Sequence, residues 1–237
     1  MERGATPLEP VRQAVSSVLK RRIPTEQRRA EILASALRLF GSKGFHDTTM
    51  EEVANAAGVA KGTIYLYFES KEHLLLALKK DFMAGLTTAI TDIVAEGIEQ
   101  LSAGKEVDYR DIIDDIFQAI VDYHCQRRDH LEIVVRQNPG PDLMQEALEL
   151  EREFLQLLTN AFREGTSYEL VHTDDPEMMA RLVNAAIRDN LAACLCYGEP
   201  DDLPRLVEAA KQLLYKALAP QIEMPPRRPR LVRTKTE

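Results

Sequence analysis

Apolar residues recur at the spacing of an α-helix along most of the chain, and no segment alternates apolar and polar residues as a β-strand does. The longest helical pattern runs from Lys71 to about Leu101. Its inward face is formed by Leu74, Leu75, Leu78, Phe82, Leu86, Ile90 and Val94. Further amphipathic helices are predicted at about 108–128, 142–164, 175–197 and 201–218, with a short element at 131–137. With three helices before Lys71, the sequence predicts an all-α protein of about nine helices.

Residues 25–78 are predicted to form a domain with a helix-turn-helix. Its first helix has one apolar stripe, formed by Ile32, Ala36, Leu39 and Phe40, and ends at Gly44. Two short helices follow, separated by Gly58, which supplies the positive φ of a sharp turn. Val59, Ile64 and Phe68 lie on one face of the second short helix and predict its buried side. In a helix-turn-helix this second helix enters the major groove of DNA.

Small or polar side chains remain on the outer side of this motif. Small residues let the backbone approach DNA, hydroxyl groups bind phosphates or bases, and a lysine at a helix start lies where the helix dipole favours phosphate. The predicted DNA-binding residues are Thr48, Thr49, Ala60, Lys61, Gly62, Thr63, Tyr65, Tyr67 and Lys71. The alternative is a helix-turn-helix shape that never binds DNA, in which the two tyrosines are ordinary, partly buried aromatics. Either threonine can also form a capping box with the glutamate three residues later.

A resemblance to a known family is carried by the segment from Thr49 to Leu74, which ends in the sequence Ala-Ala-Gly-Val-Ala-Lys-Gly-Thr-Ile-Tyr-Leu-Tyr-Phe-Glu-Ser-Lys-Glu-His-Leu. It resembles the DNA-binding domain of the TetR family of bacterial transcriptional regulators. The resemblance implies a homodimer that binds double-stranded operator DNA, and a larger helical domain at 79–220 for effector binding and dimerisation. Ala60 departs from the family, which often has serine or threonine there, so a helix cap and one hydroxyl group are missing.

The charge distribution favours a DNA partner although the formal net charge is −8. Lys and Arg outnumber Asp and Glu within residues 1–80 and in a basic tail at 221–237, whereas acidic residues are more than twice as numerous as basic ones within 81–220. The acidic part would therefore lie away from the phosphates. An N-terminal extension at 1–24 closes with a basic cluster at 20–22, which is either an arm for a flanking minor groove or a solvated charge run.

Composition and motifs give little support for a membrane protein, a secreted protein, an enzyme or a metal-binding protein. No apolar run approaches the ~20 residues that span a bilayer, and the first residues lack the pattern of a signal peptide. A cytoplasmic protein with no membrane partner is therefore expected, and an odd number of cysteines, three, fits a reducing compartment. The five histidines are scattered, and no nucleophile elbow, phosphate-binding loop or zinc motif occurs. The sequence thus predicts no enzyme, no catalytic residue, no metal site and no cofactor.

The last two predicted helices are rich in alanine. Their small residues are Ala180, Ala185, Ala186, Ala192 and Ala193 in one helix and Ala209, Ala210 and Ala217 in the other. Small residues between leucines let helices approach closely, which predicts a homodimer interface formed by these two helices. Dense packing within one subunit is the alternative.

Resemblance to the family also implies an effector pocket among the middle helices. Candidate ligand-binding residues are Phe117, Tyr123, His124, Arg136, Phe154, Asn184 and Arg188. Each polar residue of this set can instead be a satisfied core or interface group. The segment Gly-Thr-Ile-Tyr-Leu-Tyr-Phe resembles that of lipid-responsive members, which suggests a fatty acid or an acyl-CoA-like molecule.

The interpretation of the sequence is a repressor that a small hydrophobic effector releases from its operator. One alternative is a dimeric DNA-binding regulator that responds to no ligand. An alternative of another class is a helical enzyme or metal-binding protein with a vestigial DNA-binding motif.

Overall fold

The computed structural model describes residues 25–196 and 202–219, and the predicted extension at 1–24 and tail at 221–237 lie outside this part. Within it there are nine α-helices and no strand, which confirms the all-α prediction. The helices are α1 Thr25–Lys43, α2 Met50–Ala56, α3 Lys61–Ile64, α4 Lys71–Ser102, α5 Tyr109–Gln126, α6 Arg128–Arg136, α7 Met144–Ser167, α8 Pro176–Cys196 and α9 Leu203–Ala217. A 3₁₀ turn at Pro141–Leu143 leads into α7.

The helices α1, α2 and α3 pack around one apolar cluster, here called the N-terminal core. Its members are Ile32, Leu33, Ala36, Phe40, Phe45, Val53, Ala54, Ile64, Phe68, Leu74, Leu75, Ala77, Leu78 and Ile133. The first two turns of α4 thus belong to the same core as the helix-turn-helix. Burial of this much apolar surface fixes the start of α4 relative to α2 and α3.

The remaining helices form a larger bundle around the rest of α4. Helix α4 packs on α5 and α7, α7 packs on α8, and α9 packs on α5 and α8. Gly85 permits the close crossing of α4 and α5, since a Cβ atom there would overlap the Tyr123 hydroxyl group. That hydroxyl donates a hydrogen bond of 2.8 Å to the Phe82 carbonyl oxygen.

Helix α6 differs from the sequence prediction, which ended one helix near 128 and began a short element at 131. The chain leaves helical geometry only at Arg127, with φ −121° and ψ 34°, and α6 begins at the next residue. No glycine or proline marks this bend in the sequence. Tertiary contacts define α6 instead, because Ile133 is buried in the N-terminal core and its Cδ1 atom would lie 3.9 Å from a Cβ at Gly41.

Helix α7 also extends beyond the predicted end at 164. It passes through Gly165 and stops at Ser167. A Cβ atom at Gly165 would lie 2.8 Å from Val171 Cγ2, so the missing side chain accommodates the returning loop instead of ending the helix.

Two histidines connect the bundle near Phe82. His124 Nδ1 lies 2.7 Å from the Ile120 carbonyl oxygen, and His130 Nε2 lies 2.9 Å from the Leu78 carbonyl oxygen. Both rings pack edge-on against the Phe82 ring. Burial lowers the pKa of both imidazoles below the usual value, which keeps them neutral near pH 7. The His130 contact ties α6 to α4 at the boundary between the N-terminal core and the bundle.

Candidate DNA-binding surface and effector cavity

The start of α2 is fixed by a complete capping box. Thr49 accepts from the Glu52 backbone N–H at 3.3 Å, and the Glu52 carboxylate accepts from the Thr49 backbone N–H at 2.9 Å. The Lys43 ammonium donates to the same carboxylate at 2.5 Å. The Lys43 hydrogen bond, followed by those from Thr49, lowers the pKa of Glu52 to about 2. This residue is therefore ionised near neutral pH, and its ion pair with Lys43 holds α2 against the end of α1.

The turn between α2 and α3 has the predicted geometry. Gly58 has φ 66°, a left-handed conformation that glycine adopts without strain. Ala60 occupies the N-cap of α3 and makes no side-chain cap hydrogen bond, as the sequence implied. Regular α-helix covers only four residues, but backbone N–H groups of Leu66 and Tyr67 continue the turn by donating to Thr63 and Ile64 at 3.1 and 3.0 Å.

The outer side of α3 is open to solvent. Lys61 is exposed and forms a 2.8 Å ion pair with Glu51, whose hydrogen bond raises the pKa of the lysine. A Cβ atom at Gly62 would meet nothing within 4 Å. Tyr65 is 46% exposed, and Leu66, which sequence reasoning missed, is 82% exposed. The spacing could have revealed Leu66, because residues 64 and 68 face the core and residue 66 lies between them.

Three further candidates border this surface. Thr63 and Tyr67 are half-buried, and Tyr67 packs against the N-terminal core. The Lys71 ammonium donates to the His46 carbonyl oxygen at 2.9 Å and lies 4.7 Å from the centre of the Phe45 ring. These contacts hold the lysine at the start of α4, next to Ser70, which caps that helix.

The prediction that Thr48 contacts DNA is wrong for its side chain. Thr48 is only 1% exposed, and its hydroxyl donates to the Gly44 carbonyl oxygen at 2.7 Å. It closes the turn after α1 instead. Thr49 is exposed, but its hydroxyl belongs to the capping box, so it positions α2.

A long cavity of about 500 Å³ lies inside the larger bundle. Residues from α4, α5, α6, α7, α8 and α9 line it, most of them apolar. Along α4 the lining extends from Lys79 to Ile98, a distance of about 28 Å at 1.5 Å per residue. The cavity therefore begins next to the N-terminal core and extends to the far end of the bundle.

Most of the predicted ligand-binding residues lie at this cavity. Phe117, His124, Phe154, Asn184 and Arg188 are in its wall. Tyr123 is not, because its ring packs against α4 and its hydroxyl is bonded to Phe82. Its predicted place in the lining is therefore wrong. The side chain of Arg136 lies outside the described part of the chain. The long apolar wall contributed by α4 and α5 was present in the periodicity but could not be distinguished from an ordinary core.

Charged residues occur in the wall mainly between α7 and α8. Arg188 forms ion pairs with Glu151 at 3.5 Å and with Asp189 at 2.9 Å, and all three side chains are about half exposed or more. Lys79 lies deeper, where its ammonium donates to the Val134 carbonyl oxygen at 2.8 Å. Burial lowers the pKa of Lys79, and the charge of Glu151 partly opposes that shift. The exposed Glu151, Arg188 and Asp189 are here called the cavity mouth.

Two family models match the chain, one over the DNA-binding surface and the other over the part of the cavity wall that α5 to α9 form. The model of bacterial regulatory proteins of the tetR family matches residues 32–78. The model of the tetracyclin repressor-like C-terminal domain matches residues 108–218. The chain belongs to the TetR family. It is therefore a DNA-binding transcriptional regulator.

Individual relatives agree with this assignment. The fatty acid metabolism regulator protein of Bacillus subtilis is 25% identical over 192 residues, which are 79% of this chain and 94% of that protein. The transcriptional repressor KstR2 of Rhodococcus jostii is 36% identical over 72 residues, and this match covers 30% of this chain and only 35% of that protein.

Solved structures show the same fold. The regulator FadR from Bacillus subtilis, in complex with stearoyl-CoA, has a TM-score of 0.65 at 21% identity, covering 78% of this chain and 96% of that chain. The repressor FadR from Thermus thermophilus, in complex with lauroyl-CoA, has a TM-score of 0.59 at 23% identity, covering 85% of this chain and 99% of that chain.

Metal-binding clusters and membrane-spanning helices are both absent from the described ranges, 25–196 and 202–219. No group of three or more His, Cys, Asp or Glu side chains there could hold a metal ion. No helix in these ranges is both long enough and apolar enough to cross a bilayer.

The DNA-binding surface predicts different salt responses for its charged and neutral residues. Lys71→Gln should weaken operator binding and reduce the slope of log K against log salt concentration by about 0.9 for each phosphate that the lysine neutralises, since a bound cation releases counterions. Tyr65→Phe should weaken binding with an unchanged slope, because a hydroxyl group releases none. Fluorescence anisotropy over a salt series measures both.

Lys105→Gln is the matched control, since this exposed lysine lies beyond the opposite end of α4. It should leave affinity and slope unaltered. Equal slopes for the wild type and Lys71→Gln would show that Lys71 does not bind a phosphate.

Proposed function

We propose that this protein is a transcriptional repressor that binds its operator as a homodimer and is released when a long-chain acyl molecule enters the cavity. The observation that carries the proposal is the cavity, whose wall is mostly apolar and extends along α4 from Lys79 to Ile98. Binding of an apolar chain there would bury apolar surface on all sides.

The shape of the cavity supports a linear ligand. Its volume of about 500 Å³ is spread along about 28 Å of α4. A flexible unbranched chain fits such a space better than a wide rigid ring system does. The similar FadR proteins bind stearoyl-CoA and lauroyl-CoA, which supports an acyl thioester as the effector of this chain.

The cavity mouth determines how an anionic headgroup could bind. Glu151 and Asp189 both approach Arg188, so the guanidinium is already neutralised. A phosphate-bearing headgroup would have to replace one of these carboxylates at Arg188 or be held at Lys79. An uncharged long-chain molecule would avoid that competition, and it is the second candidate effector.

Two helices can transmit binding to the DNA-binding surface. Helix α4 is one of them, since Leu74 and Leu78 lie in the N-terminal core whereas Phe82 and Leu86 lie in the core of the larger bundle. Helix α6 is the other: Ile133 is buried in the N-terminal core, whereas Leu131, Val134 and Val135 line the cavity. The Lys79–Val134 and His130–Leu78 hydrogen bonds join the two helices. A ligand that displaces α6 would therefore shift α1 and α4 together.

The solvent-facing sides of α8 and α9 support the proposed dimer. Leu182 on α8 is 61% exposed and Leu213 on α9 is 63% exposed, although both are large and apolar. Exposed small residues accompany them, namely Ala185, Ala186, Ala209 and Ala217. Ala210 packs instead toward the bundle interior, so it is not a member of this face. A second copy of the chain would cover these leucines and bring two recognition helices to one operator.

A regulator without an effector is the rival interpretation. The side chains around an open cavity have fewer packing partners, and the protein would be more stable if the helices closed it. Retaining an open apolar interior is therefore easier to explain by ligand binding than by dimerisation alone. Because the family consists of regulators, no catalytic role is proposed.

Effector binding is tested by chain length. Octanoyl-CoA, lauroyl-CoA and palmitoyl-CoA are titrated calorimetrically, together with coenzyme A, palmitate and hexadecanol. Affinity should rise with chain length, and the bound compound should lower operator affinity by about 5- to 150-fold, the usual range of coupling. Palmitate and hexadecanol distinguish the effect of the headgroup.

Ala161→Phe tests whether the cavity holds the chain, since this residue lines it on α7. The variant should weaken palmitoyl-CoA binding at least about tenfold and leave octanoyl-CoA binding nearly unchanged, because added volume shortens the cavity. Ala95→Phe is the control, an exposed alanine of α4 outside the lining. If no compound binds the wild type, the ligand-independent regulator is the better account.

Substitution of exposed leucines by glutamate tests whether α8 and α9 form the dimer interface. Leu182→Glu and Leu213→Glu should give monomers in sedimentation velocity and lose operator affinity, because an unpaired carboxylate would be buried on association. Leu148→Glu, the same change at an exposed leucine of α7, should remain a dimer. Dimers in all three variants would place the interface elsewhere.

A further inference from the structure

Leu66 is the most exposed large hydrophobic residue in the described part of the chain, at 82%. We propose that it contacts the C5-methyl group of a thymine in the major groove and thereby contributes sequence preference. The inference deepens the DNA-binding role by naming a base, and it does not depend on the effector.

The backbone orients Leu66 away from the protein. Ile64 is fully buried, and Phe68 is only 5% exposed, so these two residues fix the inner side of the segment. The tight turn after Ile64 advances about 100–120° per residue, which places residue 66 at roughly 200–240° from Ile64. Leu66 therefore projects from the side that is opposite to the N-terminal core.

The same side of the segment is free to approach DNA. Gly62 precedes Leu66 by four residues, and the space where its side chain would extend is open. A glycine here lets the backbone approach the bases, and the next turn then brings Leu66 to the floor of the groove. The recognition segment thus has an apolar centre formed by Gly62 and Leu66.

Polar groups surround this centre. Lys61 and Tyr65 flank it along the chain, and Lys71 lies at the start of α4. These side chains have donors for phosphate oxygens, whereas leucine has none. Placing Leu66 against phosphates would desolvate charge without a compensating hydrogen bond. The thymine methyl group is the apolar feature of the major groove, and it is the group that a leucine can contact favourably.

The test removes single methyl groups from the DNA. Binding sites are first selected from a random pool of duplex DNA with the full-length protein. Each thymine of the selected site is then replaced by deoxyuridine, which keeps base pairing and lacks only the C5-methyl group. Each half-site should contain one thymine whose replacement, made in that half-site alone, weakens wild-type binding about fourfold. This is the effect expected from losing one buried methyl group.

Leu66→Ala should bind the unmodified site more weakly and show less than about 1.5-fold further loss at that same deoxyuridine. Selection repeated with Leu66→Ala should lose the preference for thymine at that position. Leu148→Ala, the same deletion at an exposed leucine of α7, should behave as the wild type does. Thermal unfolding should be unchanged in both variants, because both side chains are exposed.

Equal deoxyuridine effects in the wild type and Leu66→Ala at every thymine would overturn the proposal while leaving DNA binding intact. The proposal is also overturned, with DNA binding intact, if no deoxyuridine replacement weakens the binding of DNA by the wild-type protein. Failure to select any DNA would overturn the DNA-binding role and the Leu66 assignment together.

Discussion

Burial of the start of α4 beneath the helix-turn-helix is the constraint on which the rest of the structure depends. Leu74, Leu75 and Leu78 are at most 2% exposed, and they share one core with Ile32 and Ile64. A helix cannot bend freely between two packed cores, so α4 links the orientation of α3 to the walls of the cavity. The Ile133 side chain adds a second link from α6.

Charged residues are distributed unequally between the helix-turn-helix and the larger bundle. The helix-turn-helix has lysines at its edges, and its internal ion pairs, Lys43–Glu52 and Lys61–Glu51, set the positions of α2 and α3. Both pairs are largely exposed, so they orient elements more than they stabilise the fold. The acidic bundle is directed away from the phosphates if the outer side of α3 meets the groove. Residues 25–78 have six Lys and Arg against seven Asp and Glu, so this domain is nearly neutral, whereas residues 81–220 are strongly acidic. This contrast favours an approach to DNA in which the bundle stays away from the phosphates.

Much of this structure followed from local patterns in the sequence. Helical periodicity located α4 and α5, the two Thr-x-x-Glu pairs indicated where α2 begins, and Gly58 located the turn. Local patterns did not predict those features that tertiary contacts determine. Thr48 and Thr49 are chemically equivalent in sequence, yet one is buried under α1 and the other caps α2. Likewise, α6 begins without a glycine or proline signal because packing of Ile133 fixes it.

The cavity illustrates the same limit. An apolar helical face predicts that a side chain points inward, but it does not show whether neighbouring helices meet or leave space. Phe117 and Phe154 would have the same periodicity in a filled core. Leu66 is the converse case, since a leucine is usually assigned to the interior, whereas its position between the inward-facing residues 64 and 68 agrees with the exposure that the structure shows.

The central claim is that the cavity and the DNA-binding surface are coupled through α4 and α6. Calorimetric titration of palmitoyl-CoA into the free protein and into the protein saturated with its selected operator tests it most directly. Thermodynamic linkage requires the two ligands to weaken each other by one common factor. The account predicts that operator DNA lowers palmitoyl-CoA affinity by the same factor by which palmitoyl-CoA lowers DNA affinity. Equal palmitoyl-CoA affinities with and without DNA would contradict it.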